Sequence, residues 1–419
     1  MGLTSVASNH TSSWLCSPQP RLKTGGLVIL LALANAICPF AIDMYTPAVP
    51  SMPAYFATTE AMVNLTIVGF YLFYSLGMLV FGPVCDRTGR KPIMVGGMLT
   101  FALASFACAQ AWSIETLIAF RIVQAIGAGA ICAVSTAIIK DAFVPERRTL
   151  LLSVLQVLMV VGPVAAPLLG GVLLQFYTWH ACFYALGILG ALCAALAVLF
   201  TETLKPSERV HGNLVTALTR MGSVATNRSF ALLLLVMALF SVPYMAYVAV
   251  ASYVYVDFFG TTAQVYSYFF AATAAISICG PFVYLIASRR VSKRAFTTTA
   301  LLCALLMGGA LLVSGAASVW LFFPLFAAFA LIEAAIRPYM TDALLSQNES
   351  DAGSASSLIN FTVNIFGVLG MGLITPWNGS YIAGLGAIMF GSMLVGLLLW
   401  CWLLHSKTTR LTGFDRATV

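Results

Sequence analysis

Four ionisable side chains, Asp43, Arg121, Glu333 and Arg337, lie inside stretches otherwise apolar enough to cross a bilayer. A charge at mid-membrane costs at least ~2.5–3.5 kcal/mol, so such a residue faces a partner, a wet cavity or a transported ion. A carboxyl beside an arginine suits reversible proton binding. Burial disfavours the ionised acid, the cation favours it, and the arginine itself stays charged. A purely structural ion pair between helices is the other use open to these residues. Glu333 and Arg337 stand four apart in the order that favours an intrahelical pair, and Pro338 follows directly. That spacing fits a self-neutralising pair lining the inner half of a cavity, a structural salt bridge, or a cargo contact.

The elements that must position these groups are membrane helices. Of 419 residues, 60% are hydrophobic and 8% charged, whereas a soluble chain carries about 25% charged residues. Windows of about 20 apolar residues, enough to span ~30 Å of hydrocarbon, fall near 25–47, 61–83, 92–111, 114–138, 149–175, 180–201, 229–256, 264–287, 296–314, 317–341, 354–375 and 379–404. Asp43 lies about 18 residues past Gly25, roughly 27 Å from the inner end of the first span. Arg121, on the inward-running fourth span, is about 28 Å from Lys140. The two charges therefore share a depth, and Asp43 is expected to be the proton site with Arg121 as its electrostatic regulator.

The formal charge of +7 reads as a topology signal. Apart from Arg121 and Arg337, every Lys and Arg falls on one side of the spans: Arg21 and Lys23; Arg87, Arg90 and Lys91; Lys140, Arg147 and Arg148; Lys205, Arg209, Arg220 and Arg228; Arg289, Arg290, Lys293 and Arg294; Lys407, Arg410 and Arg416. The positive-inside rule makes that side cytoplasmic, with both termini there. Nucleic acid is not expected as a partner, because the basic residues lack a reading element. The first twenty residues lack the apolar core of a cleaved signal, so the first span is expected to act as the targeting sequence. A myristoylation pattern fails at Val6. Cys38, Cys108, Cys132, Cys193, Cys279, Cys303 and Cys401 lie within apolar spans and read as small packing residues.

A polar interval at 202–228 divides the chain into a cytoplasmic tail 1–24, a bundle 25–201, a linker, a bundle 229–404 and a second cytoplasmic tail 405–419. Gly82-Pro83 after the second span recurs as Gly280-Pro281 after the eighth, each followed by basic residues, a faint repeat at about 200 residues. Parallel six-span repeats place a binding site at midplane between the halves.

The strongest local signal is Gly82-Pro83-Val84-Cys85-Asp86-Arg87-Thr88-Gly89-Arg90-Lys91-Pro92. Gly82 is expected to permit close backbone approach and Gly89 a turn. Asp86 is placed to accept from helix N-termini or a basic partner, and Arg87 to donate to a carboxylate, so that the loop latches one arrangement of helices. Here the chain resembles the major facilitator superfamily, whose signature reads G-x-x-x-D-R-x-G-R-[RK]. On the fourth span Arg121, Gln124, Gly127 and Gly129 resemble R-x-x-Q-G-x-G, with Ala125 for the first glycine. On the fifth, Gly162, Ala166, Pro167, Gly170 and Gly171 resemble the antiporter pattern G-x-x-x-G-P-x-x-G-G, with Ala166 for Gly; Pro163 and Pro167 are expected to bend this span. Asp43-Met44-Tyr45-Thr46-Pro47-Ala48-Val49-Pro50 is similar to D-M-Y-L-P-A-L-P of the bicyclomycin and chloramphenicol resistance (Bcr/CflA) branch, with Thr46 for Leu.

The resemblance is well anchored over about 25–205. It implies an all-α membrane protein of twelve transmembrane helices in two six-helix pseudo-symmetric bundles, with Asp43 and Arg121 as the coupling residues. Tyr45, Phe70, Tyr74, Tyr244 and Tyr247 are candidates for a cavity that takes flat, moderately polar organics, and ordinary packing is their other use. Gln124, Gln156, Asn360 and Asn364 could bond cargo or tie helices together. No G-x-x-x-x-G-K-[ST] loop, metal-ligand spacing or Ser-His-Asp arrangement stands out, so no cofactor, metal, ATP or enzyme chemistry is expected. The expected function is proton-coupled efflux of small amphiphilic compounds across a bacterial inner membrane by a monomer. The alternatives are a dedicated exporter of one metabolite, such as an amino acid derivative or siderophore, and a proton-coupled importer.

Overall fold

The structure, a computed structural model, describes residues 14–209, 219, 222–287, 290–347 and 352–405, apart from the side chains of 145–146, 148–150, 152–160, 208 and 352–354. Helices dominate: α1 Lys23–Asp43, α2 Glu60–Thr88, α3 Arg90–Cys108, α4 Ile114–Ala142, α5 Pro145–Phe176 and α6 His180–Leu199. After the 202–228 interval come α7 Arg228–Tyr253, α8 Ala263–Ile278 with its continuation Gly280–Ala287, α9 Lys293–Ser314, α10 Val319–Ser346, α11 Ala352–Ile374 and α12 Tyr381–His405. Among the described residues eleven stretches are long and apolar enough to cross a membrane. The remaining helix, α5, has 32 residues and an apolar described stretch Val161–Phe176.

Polar side chains at the membrane boundary start many of these helices by accepting from otherwise orphaned N–H groups. Thr59 accepts from Met62, Thr262 from Val265, Ser292 from Ala295, and Asn227 from Ser229 and Phe230. Ser113 and Thr116 form a capping box at α4. Prolines shape the exits: Pro47, Pro50 and Pro53 turn the chain after α1 into a tight 3-10 stretch, Thr46–Ser51, and a short helical turn, Met52–Tyr55. Pro163 and Pro167, expected to bend α5, lie within one unbroken helix.

Packing follows the same scheme twice. In the first six helices α1 pairs with α5, α2 with α4 and α3 with α6; in the second six α7 pairs with α11, α8 with α10 and α9 with α12. Small residues make these approaches possible. A Cβ on Gly127 would stand 2.8 Å from the Gly97 carbonyl oxygen, and one on Gly129 2.9 Å from the Met78 nitrogen. In the second half a Cβ on Gly308 would come 2.6 Å from Phe390 N, and one on Gly386 2.6 Å from Leu312 N. Without a hydrophobic drive between helices in lipid, this close van der Waals packing is what holds each half together. At Gly280, where a Cβ would stand 2.6 Å from Ala335 N, α8 breaks against α10. Its counterpart Gly82-Pro83 lies inside an uninterrupted α2.

The halves meet where α5 lies on α8 and α2 on α11. Two described hydrogen bonds join them. Tyr266 Oη donates to Thr46 Oγ1 at 3.1 Å, and Tyr381 Oη to Glu60 Oε2 at 2.5 Å. Both lie at the end opposite the basic segments. The ion pairs described at the basic end, Arg90 with Asp86 and Asp141 and Lys293 with Asp342, stay within their own halves. There the N-terminal segment folds back onto the first half: Cys16 N donates to Ala142 O at 2.7 Å, Val144 N to Trp14 O at 3.1 Å, and Gln19 and Thr201 exchange two bonds of 2.9 Å.

Candidate functional site

Asp43 is the last residue of α1, where Thr46 closes the turn by donating to its backbone carbonyl at 2.8 Å. The residue is 4% exposed. No hydrogen bond or ion pair of its carboxyl is described. It lies within electrostatic reach of Cys38 on α1, Tyr71 on α2, Tyr244 on α7 and Tyr266 on α8. The acid therefore sits at the seam between the halves, near groups of both.

Arg121 is fully buried on α4. Its Nη1 donates to the Ala41 carbonyl at 2.8 Å and to Gln124 Oε1 at 2.7 Å, while Nε and Nη2 have no hydrogen-bond partner. The guanidinium rests on Phe70, 4.2 Å from the ring centroid, and on Tyr45 at 4.6 Å, with Phe183 at 5.8 Å. Such contacts compensate part of the lost hydration. The shared depth with Asp43 holds, because the carbonyl it grips is two residues before the acid. Contact is indirect: the arginine takes hold of the end of α1 and makes no ion pair with the carboxyl.

Several expected cavity residues belong to this buried support. Gln124 accepts from Arg121 and donates to Ser105 Oγ at 2.7 Å, so it ties α4 to α3. Tyr45 shares a 2.7 Å hydrogen bond with Thr66, and Phe70 stacks near Tyr74 at 6.3 Å. Tyr247, 1% exposed, lies in an aromatic stack with Phe326 at 3.8 Å and Phe270 at 5.8 Å inside the second half. Tyr244 is partly exposed between the halves. Asn360 is exposed and donates to Ser356 O of its own helix at 3.0 Å, and Asn364 is partly buried on α11. The side chain of Gln156 lies outside the described residues.

Glu333 and Arg337 form the anticipated i,i+4 pair on α10. One contact of 3.4 Å joins Arg337 Nε to Glu333 Oε1, with the arginine side chain 49% exposed and the glutamate 10%. Both lie within electrostatic reach of Tyr244, and Arg337 also of Tyr71 across the seam. Tyr71 is the residue sequence reasoning passed over. Its only signal is the helical spacing of aromatics on α2.

The glycine-rich motif departs from expectation in two ways. A Cβ on Gly82 would meet nothing within 4 Å, so this glycine permits no close approach. The arginine that engages carboxylates is Arg90, with Nη1 2.5 Å from Asp86 and Nε 2.8 Å from Asp141; Arg87 is exposed. Helix geometry explains the exchange. Because α2 stays helical to Thr88, Arg87 points to solvent, and the chain turns only at Gly89, whose φ of 108° favours glycine. Glu202 from the linker then accepts from the backbone N–H of Arg90 and Lys91, each at 3.0 Å, at the positive start of α3. Lys91 Nζ donates to the Val198 carbonyl at 2.8 Å. The antiporter glycines do pack closely: a Cβ on Gly162 would strike Pro39, one on Gly170 the Met44 carbonyl, and one on Gly171 would be 2.7 Å from Ser267 Oγ in the other half.

Twelve long helices among the described residues, in two similarly packed sets with an acid at their seam whose carboxyl has no described bond, define a membrane transporter. The Major Facilitator Superfamily model matches residues 31–371, and the chain belongs to that family. It is 30% identical over 380 residues to an uncharacterized MFS-type transporter, YdgK, of Bacillus subtilis, covering 89% of this chain and 94% of that protein. It is 35% identical over 192 residues to a chloramphenicol resistance protein of Pseudomonas aeruginosa, a match covering 45% of this chain and 44% of the relative. Relatives named for chloramphenicol and bicyclomycin resistance agree with the Bcr/CflA motifs. The fold superposes with a TM-score of 0.70 on an inward-facing bacterial homolog of the human lysosomal transporter Spinster, at 18% identity over 92% of this chain and 97% of that one.

Proposed function

We propose that the protein is a proton-coupled multidrug exporter of the bacterial inner membrane, carrying small amphiphilic compounds outward in exchange for protons. The observation that carries this reading is Asp43, buried at the seam with no bond described for its carboxyl, beside an arginine that grips the same helix end. A carboxyl left unpaired in a poorly hydrated place binds a proton readily. It releases that proton when a cationic or strongly dipolar guest arrives.

In this reading the basic end is cytoplasmic and both termini lie there. The bundles 25–201 and 229–404 are the moving bodies, joined by the linker 202–228. The bonds Tyr266–Thr46 and Tyr381–Glu60 then seal the outer end, so cargo enters from the cytoplasm and binds near ionised Asp43. After the halves rock, a proton from outside displaces the cargo. One proton entering down ~100 mV supplies about 2.3 kcal/mol. The protein acts as a monomer. Its relatives' names for antibiotic resistance support broad cargo choice over a single metabolite.

The test is proton release from detergent-purified protein on adding ethidium in weakly buffered solution. The parent should release about one proton per molecule bound, and Asp43→Asn, brought to saturation at whatever higher dye concentration it needs, should release none. Equal release from both proteins would remove Asp43 from the mechanism, and no release from the parent would remove proton exchange altogether.

A further inference from the structure

Arg337 has no role in the proton reading, yet it lies at the seam. The contact described between it and Glu333 is through Nε, at the long distance of 3.4 Å. No bond is described for Nη1 or Nη2, so the planar edge that best accepts a carboxylate in two parallel hydrogen bonds is unengaged on a half-exposed side chain. Asp43 belongs to the other half. Tyr71 and Tyr244 are each partly exposed and each within electrostatic reach of both Asp43 and Arg337. An anionic anchor and a cationic anchor thus stand on different halves, with two tyrosines near both.

Helix rise gives their spacing. Asp43 stands twenty residues from the basic-end terminus of α1, about 30 Å, and Arg337 nine residues from that of α10, about 14 Å. With those termini level, the backbones differ by roughly 16 Å along the membrane normal, and the arginine stem closes several ångströms of it. An α-amino acid, with its two charges on one carbon, is far too short to touch both.

We propose that this site selects extended zwitterions: flat organic molecules with an ammonium at one end and a carboxylate at the other. The ammonium meets Asp43, the carboxylate takes the outer edge of Arg337, and the rings lie against Tyr71 and Tyr244. Glu333 holds the arginine in the cleft and competes weakly with the guest's carboxylate. The inference rests on the export reading for its cargo, but it concerns equilibrium recognition and needs no proton gradient.

The experiment compares norfloxacin, whose piperazine ammonium and ring carboxylate lie at opposite ends, with its ethyl ester and its N-acetyl derivative, each lacking one charge. Binding to purified protein is followed by the fluoroquinolone's own fluorescence. The parent should prefer norfloxacin about tenfold over either derivative. Arg337→Gln should erase the preference over the ester while leaving ester affinity unchanged, and Arg337→Lys should keep part of it. Glu333→Gln should tighten norfloxacin binding severalfold, an effect that a merely structural ion pair would not produce. The proposal is overturned if the parent binds all three alike, if Arg337→Gln weakens ester and zwitterion equally, or if Glu333→Gln weakens norfloxacin. Loss of proton release with the zwitterion preference intact would instead count against the antiport reading alone.

Discussion

Arg121 shows how a fully buried guanidinium is held without a matching carboxylate. Its hydrogen bonds go to the Ala41 carbonyl and Gln124, and its faces to the rings of Phe70 and Tyr45. Gln124 is the weak point, since it satisfies Arg121 and Ser105 together. Gln124→Leu should destabilise the protein by ~1–3 kcal/mol, because Arg121 keeps only its bond to the Ala41 carbonyl and Ser105 only its bond to the Phe101 carbonyl. Gln124→Glu keeps the acceptor for Arg121 and should recover most of that loss in thermal melting in detergent. Counting helical rise from the basic ends was enough to bring Asp43 and Arg121 to one level. It could not show that the arginine holds a backbone carbonyl, because main-chain acceptors carry no residue signature. Nor does the sequence place Tyr247, a cavity candidate that packs against Phe326 and Phe270: α7 is apolar on all sides, so its sequence does not show which face meets the seam and which meets α8 and α10.

At the scale of elements, the glycines divide by what stands opposite them. Gly170 faces the Met44 carbonyl with no room for a Cβ, whereas Gly82 faces open space inside α2. Gly170→Ala should cost ~1–3 kcal/mol by forcing α5 away from α1. Gly82→Ala should be neutral or stabilising by up to about 1 kcal/mol, since alanine is the better helix former. Parallel melting curves of the two variants decide this, and equal destabilisation would contradict the packing described. Span positions and the order of helices were legible from apolar length alone. Which glycines are pressed and which are free was not, because each depends on the register of a helix distant in sequence. The linker carried a similar blind spot: Glu202 completes the start of α3 from more than a hundred residues away.

For the whole molecule, the two described bonds between the halves tie them together at the end opposite the basic segments. Glu60→Cys with Tyr381→Cys, in a protein whose exposed Cys16, Cys279 and Cys401 are replaced by Ser, should be bridged by a bis-methanethiosulfonate linker that spans the space of the two removed side chains. Ethidium efflux from vesicles should stop on bridging and return on reduction, while ethidium binding in detergent persists throughout. Efflux that continues in the crosslinked protein would mean that the halves need not part there. The twofold repeat was visible in sequence only as the faint Gly-Pro recurrence, although the three helix pairings named for each half correspond. Packing preserves the geometry of an approach with different small residues on each side, so a repeat can stay sharp in structure after it fades in sequence.

The fold-back of Trp14 to Gln19 bears on biosynthesis. These residues leave the ribosome more than a hundred residues before their partners Ala142, Val144 and Thr201, so the strap can begin to fasten only after four helices and is complete only after six. Until then the basic mouth of the first bundle stays unclasped. Replacing residues 14–19 with a Gly-Ser stretch should leave insertion intact but make the α4–α5 turn sensitive to protease in inside-out vesicles, and a peptide of those residues supplied in trans should restore part of the protection.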